Sequence, residues 1–166
     1  MGEDRHNHFS GCRKGRQRPQ EFDLPYVLEE TTSQEIDRNH VMRRVDDWAD
    51  RVSALYADIC NWLPAGWTAQ RRGVVKMHEQ LMHKFGVPAR DLPVLELSSG
   101  ERSARLEPRG LWIIGANGRL DLFAGPHHYM IIDTAENLQP PQWQIAPFSD
   151  RRQLKPLDSG TFGAAL

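Results

Sequence analysis

The sequence predicts an α+β domain in which one long and one short N-terminal helix pack on an antiparallel β-meander of about five strands. Three observations carry that prediction. Apolar residues recur at helical spacing over residues 41–62. From Pro93 onward, short apolar segments alternate with turn residues. Asn117-Gly118 lies between apolar segments 111–114 and 120–123, where a type I′ turn would close a β-hairpin.

Composition narrows the class. The chain of 166 residues is long enough for one domain with its own core. A formal net charge of −1 argues against a whole surface committed to nucleic acid or to an anionic membrane. No apolar run approaches the roughly 20 residues needed to cross a bilayer. The polar N-terminus lacks the apolar region of a secretory signal. Cys12 and Cys60 make no disulfide framework. These features predict a cytoplasmic protein with reduced thiols, no membrane contact and no cofactor.

Residues 1–20 carry Arg5, Arg13, Lys14, Arg16 and Arg18 and almost nothing to bury, so they are expected to form a disordered basic arm. Arg13, Lys14, Arg16 and Arg18 are its candidate phosphate contacts. A single domain over 21–157 and a flexible tail over 158–166 complete the expected organisation. Leu24, Tyr26, Val27 and Leu28 suggest a short strand or docking segment over 23–30. Thr32 and Glu35 have the spacing of a capping box before the long helix. In that helix Val41, Val45, Trp48, Val52, Leu55, Ile59 and Trp62 form a seam that also suits a coiled-coil partner. Met42, Ala49, Tyr56 and Leu63 widen it into the broad stripe of a helix lying on its own core. Charged residues such as Arg44, Asp47 and Arg51 are expected on the solvated face, with Asp47 and Arg51 at i,i+4.

After a loop over 65–73, Val74, Met77, Leu81 and Phe85 predict a second helix, 74–85, stopped by Gly86 and Pro88. Strands are expected over 94–97, 103–107, the two arms of the Asn117-Gly118 hairpin, 129–132 and 143–146. A five-residue loop, 124–128, would place Phe123 opposite Tyr129 and Arg119 opposite Asp133.

Few residues suggest chemistry. His78 and His83 stand at i,i+5, about 140° apart on a helix, which separates their imidazoles too far for one zinc ion. His6, His8 and Cys12 have suitable ligand types on a tail without a stable backbone. Asp121, followed by Asp133-Thr134-Ala135 on the next strand, resembles the core of the PD-(D/E)xK nuclease superfamily over about 20 residues, with Glu79 matching its helical acid. The resemblance implies that Asp121 and Asp133 hold a divalent ion. Ala135 departs from it, standing where the family's catalytic lysine belongs. His127 and His128 are candidate general bases in the same turn.

Three functions follow in order. The first is a non-catalytic interaction or assembly module, binding another protein or a second copy of itself, with Trp48, Trp62, Trp67 and Trp143 as interface candidates. The second is nucleic-acid binding through the arm. The third is a metal-dependent hydrolase using Asp121, Asp133, His127 and His128.

Overall fold

The computed structural model describes residues 36–166. The arm with Arg13, Lys14, Arg16 and Arg18, the group His6, His8 and Cys12, segment 23–30 and the capping box of Thr32 and Glu35 lie outside the described residues.

Helix α1, Arg38–Trp62, begins where the Asp37 carboxylate accepts a hydrogen bond from the His40 amide at 2.6 Å. That bond satisfies one of the amides a helix start leaves without a partner. The helix ends at Leu63, just before Pro64, which has no amide proton to continue the ladder. Its seam from Val41 to Ile59 is buried in the domain's own core, as the broad stripe predicts. The coiled-coil alternative therefore has no free apolar seam on α1. The stripe is wider than its apolar residues suggest, because Arg44 and Arg51 are buried with it.

Seven strands follow: β1 Thr68–Met77, β2 Arg90–Ser99, β3 Arg102–Gly110, β4 Arg119–Ala124, β5 His127–Asp133, β6 Trp143–Pro147 and β7 Lys155–Pro156. They form one antiparallel sheet in sequence order, so the meander is correct and the count of about five is too low. Two short helices, α2 Gln80–Lys84 and α3 Ser159–Ala165, complete the described residues. Helix α1 packs on the sheet face that carries Leu95, Leu97, Leu106, Leu120, Leu122, Ile131 and Ile145.

The extra strands correct two expectations. Residues expected as a loop and the first turn of a helix are β1, whose register against β2 shifts between Arg71 and Val74. Gly73 supplies the positive φ of that bulge. The bulge brings apolar residues into a spacing that mimics a helical face, and only 80–84 is helical. Gly86 does end the helix, with φ +63 and its amide bonded to the His83 carbonyl. At the other end, residues expected as a flexible tail form α3. Asp158 and Thr161 cap it reciprocally, and Phe162 is fully buried.

The hairpin expectation fails in its turn. Strand β3 pairs with β4 from Ala104↔Ala124 to Gly110↔Arg119, leaving residues 111–118 as the connection. The tight turn in that connection centres on Ile114-Gly115, closed by the bridge Ile113↔Ala116. Asn117 and Gly118 instead bond through their backbones to Asp133. Gly118, at φ +130, lies flat against the Trp48 ring, where any Cβ would collide. The pair is selected by a tertiary contact rather than by a local turn.

The β4–β5 register also differs, by one residue. Strand β4 turns through Gly125-Pro126 alone, so Phe123 faces His128 and Arg119 faces Ile132. The expected cross-strand pair of Arg119 with Asp133 does not form. A slip of one residue sends every side chain of one strand to the other sheet face.

Candidate functional site

That register separates the two acids of the nuclease-like pattern. Asp133 follows Ile131 on the face toward α1, whereas Asp121 alternates with Leu120 and Leu122 and points to the opposite, outer face. Two carboxylates on opposite faces of one sheet cannot share a metal ion. Among the described residues no group of three or more His, Cys, Asp or Glu side chains gathers as metal ligands. Of the four proposed catalytic residues, only Asp121 and His128 meet, with Nε2 lying 3.1 Å from Oδ2. The pair lacks the alignment of a hydrogen bond. His127 is exposed at the start of β5 and Asp133 lies at its far end.

On the α1 side, Asp133 belongs to a buried ion network. Its Oδ2 accepts from Arg51 Nη1 at 2.7 Å, and its Oδ1 accepts from the amides of Ala135 at 3.0 Å and Gln142 at 2.8 Å. Arg51 Nε donates to Asp47 at 2.7 Å and Nη2 donates to the Gln139 carbonyl. The i,i+4 pair of Asp47 and Arg51 is therefore present, as part of this buried lattice rather than on a solvated face. Burial opposes the Arg51 charge, but the hydrogen bonds and fields of Asp47 and Asp133 outweigh it and raise its pKa. One turn earlier, Arg44 has the reverse balance. Burial is its largest influence and its pKa is lowered. It is 4% exposed, donates from Nη2 to Asn117 Oδ1, and among the described residues its Nε and Nη1 have no partners. Each buried donor left unpaired costs about 1–3 kcal/mol.

The outer face has a different construction. Charged residues of β3 and β4 alternate in period two, placing Arg105, Glu107, Arg109, Arg119, Asp121 and Phe123 on one surface. Arg119 grips Asp121 with two hydrogen bonds, at 2.7 and 2.9 Å, and Arg109 approaches it at 3.4 Å. Arg105 and Arg109 reach Glu107 at 3.0 and 3.5 Å. Beside them Phe123, His128 and Phe148 stack face to face, with ring centroids 4.5 and 4.2 Å apart. Guanidinium groups close both ends of this ladder, Arg105 over Phe123 and Arg119 with Arg151 over Phe148. The carboxylates lie beneath the arginines: Asp121 is 1% exposed, whereas Arg105 and Arg109 are 52% and 50% exposed. Arg105, Arg109 and Arg119 pair with these two carboxylates and Arg151 adds a guanidinium over Phe148, so arginines outnumber acids on this surface even with the half-exposed Glu96 opposite Arg105.

The tryptophan candidates do not form a patch. Trp48 is a fully buried core residue whose ring lies 6.0 Å from Trp143. Trp62 packs toward Phe162 of α3, and Trp67 lies under the Arg102 guanidinium. Trp62, Trp67 and Trp143 all pack against the core cluster. The residues missed from sequence were Arg44, Arg51, Arg105 and Arg109. The period-two pattern of Arg105, Glu107 and Arg109 was the available signal for the outer face. Comparison with known protein families, characterised proteins and solved structures finds no match for this chain.

Proposed function

We propose that the chain is a non-catalytic binding module whose outer sheet face docks an acidic surface of another protein. One observation carries this reading: the half-exposed guanidinium groups of Arg105 and Arg109 are held by the half-buried Glu107 and the buried Asp121, and the exposed Arg151 lies beside them over Phe148. Such an arrangement holds the arginines in place before a partner arrives and displays their remaining donors to incoming acids. Arginine at fixed geometry is well suited to carboxylate recognition, because its planar fork matches two oxygens.

A protein partner is favoured over a single-stranded nucleic acid by the ring ladder. Bases bind open aromatic faces. Here Phe123, His128 and Phe148 stack on one another, and the outer ring faces lie under arginines. The separation of Asp121 from Asp133 leaves the hydrolase reading without its metal-binding pair.

The test is fluorescence anisotropy of a glutamate-rich peptide and of a mixed single-stranded oligonucleotide against the purified full chain at low salt. Saturable peptide binding is expected, weakened at least about tenfold by the double variant Arg105→Glu, Arg109→Glu. The same charge change on α1, Arg38→Glu with Arg43→Glu, should leave it intact. Absence of peptide binding, or equal loss in both double variants, would overturn the reading. Tighter binding of the oligonucleotide would replace it with nucleic-acid recognition.

A further inference from the structure

The corner between β1 and α2 brings together two imidazoles that their sequence spacing sets apart. On one continuous helix His78 and His83 would lie about 140° from each other. His78 instead follows β1 and precedes the start of α2 at Gln80, so helical spacing does not govern the pair. The two ring centroids are 3.6 Å apart, with the planes inclined at 32°.

The backbone holds this pairing in place. Each histidine directly follows a buried methionine, Met77 or Met82. Between them the Glu79 carboxylate accepts from the amides of Leu111 and Trp112 at 2.7 and 3.2 Å, tying the corner to the β3–β4 connection. The His83 amide donates to the Glu79 carbonyl at 3.1 Å. Both rings are exposed, and among the described residues neither has a hydrogen-bond or ion-pair partner.

We propose that His78 and His83 chelate one divalent transition-metal ion of the zinc, nickel and copper group. Two nitrogens bound to one such ion at about 2.0–2.1 Å stand about 2.9–3.4 Å apart, from right-angled to tetrahedral geometry. Rings centred 3.6 Å apart reach that separation by turning about χ2, with no movement of the backbone. The ligand type selects the class of ion, because imidazole suits these metals whereas calcium and magnesium take oxygen. No third His, Cys, Asp or Glu joins the pair among the described residues. Water therefore fills the remaining positions, and the site is an open one rather than a closed structural centre.

The test is Zn²⁺ titration of the full chain at about pH 7.5, followed by long-range ¹H–¹⁵N spectra of the imidazole rings. Such spectra separate this pair from His6 and His8, which offer competing ligands in the arm. The His78 and His83 nitrogens are expected to shift together along one saturating curve. His78→Gln should weaken the response of His83 at least about tenfold, and His83→Gln should do the same to His78, because each loses its chelating partner. Both side chains are exposed, so the urea midpoints of the two metal-free variants should match that of the parent chain. Retention of His83 affinity to within about threefold in His78→Gln would mean two independent imidazoles. Shifts of His40 and His127 with the same midpoint would mean unselective surface binding. Either result overturns the proposal, as does the absence of any shift at both rings up to about 1 mM Zn²⁺.

Discussion

Asp121 and Asp133 are the same residue type on neighbouring strands, both with almost no solvent exposure, and they serve different ends. On the helix side, Asp133 is enclosed by Arg51 and two backbone amides, and each nitrogen of the Arg51 guanidinium donates a hydrogen bond. On the outer side, Asp121 holds Arg119, which is 19% exposed, and adjoins Arg109, which is half exposed. The difference teaches that burial of a carboxylate does not identify its role. What decides is whether the cation it holds is also buried. A buried cation makes the pair a clamp between elements, here α1 and the end of β5. A half-exposed cation makes the pair a mount for a surface.

The sharpest way to break this comparison is to remove each acid. Asp133→Ala leaves Arg51 buried with one carboxylate instead of two and strands the amides of Ala135 and Gln142. The expected loss is about 3–5 kcal/mol, the range for breaking a buried pair from one side. Asp121→Ala frees Arg109 and Arg119, which can turn to water or to Glu107, and the expected loss is about 1–2 kcal/mol. Urea unfolding measures both through the midpoint at constant slope. Equal losses would mean that the outer network is as structural as the inner one.

A second contrast lies between the two glycine turns that flank β4. Gly118 at one end is pressed against Trp48, whereas Gly125 at the other has open space where a Cβ would stand. Both hold positive φ, so both resist a side chain to some degree. Only Gly118 adds a collision with the core. Gly118→Ala is expected to cost about 2–4 kcal/mol and Gly125→Ala about 1 kcal/mol, read by the same urea midpoints. A similar cost at both would show that Trp48 moves aside freely.

These contrasts also mark what the sequence made legible. The 3.6-residue period wrote α1 plainly, because Val41 through Ile59 are apolar and have no other reason for that spacing. The meander was legible for the same reason at period two. The faces of Asp121 and Asp133 were not. Their assignment hung on whether the β4–β5 loop held five residues or two, and a change of one in the register sum reverses a face. Gly125-Pro126 was the local clue to the shorter turn. Arg44 and Arg51 were hidden by a sound rule, since charged residues on a helix flank are usually solvated. The approach of Asn117 from the β3–β4 connection and of Asp133 from the end of β5, both distant in sequence, explains their burial. The Asn117-Gly118 pair misled in the opposite direction, because a glycine demanded by a tryptophan ring has the same letters as one demanded by a hairpin.

A pH titration tests the helix side. Tyr56 of α1 is fully buried, and its hydroxyl donates to the Pro93 carbonyl at 2.9 Å, with the Leu106 carbonyl also in range at 3.3 Å. Burial is the main reason its pKa is raised. In the unfolded chain a tyrosine ionises near pH 10. Its folded pKa lies higher, so the stabilisation is fully present below pH 10 and is lost as pH rises toward the folded value. By about pH 11 the loss should approach 1.4 kcal/mol, one decade of differential proton binding. Tyr56→Phe should be less stable at neutral pH through the lost hydrogen bond, yet flatter between about pH 10 and 11. Stability curves of the two proteins that stay parallel through that window would mean that the phenol reaches water without unfolding. The inner face would then be as open to solvent as the outer, and the distinction between clamp and mount would fail on the side where it is strongest.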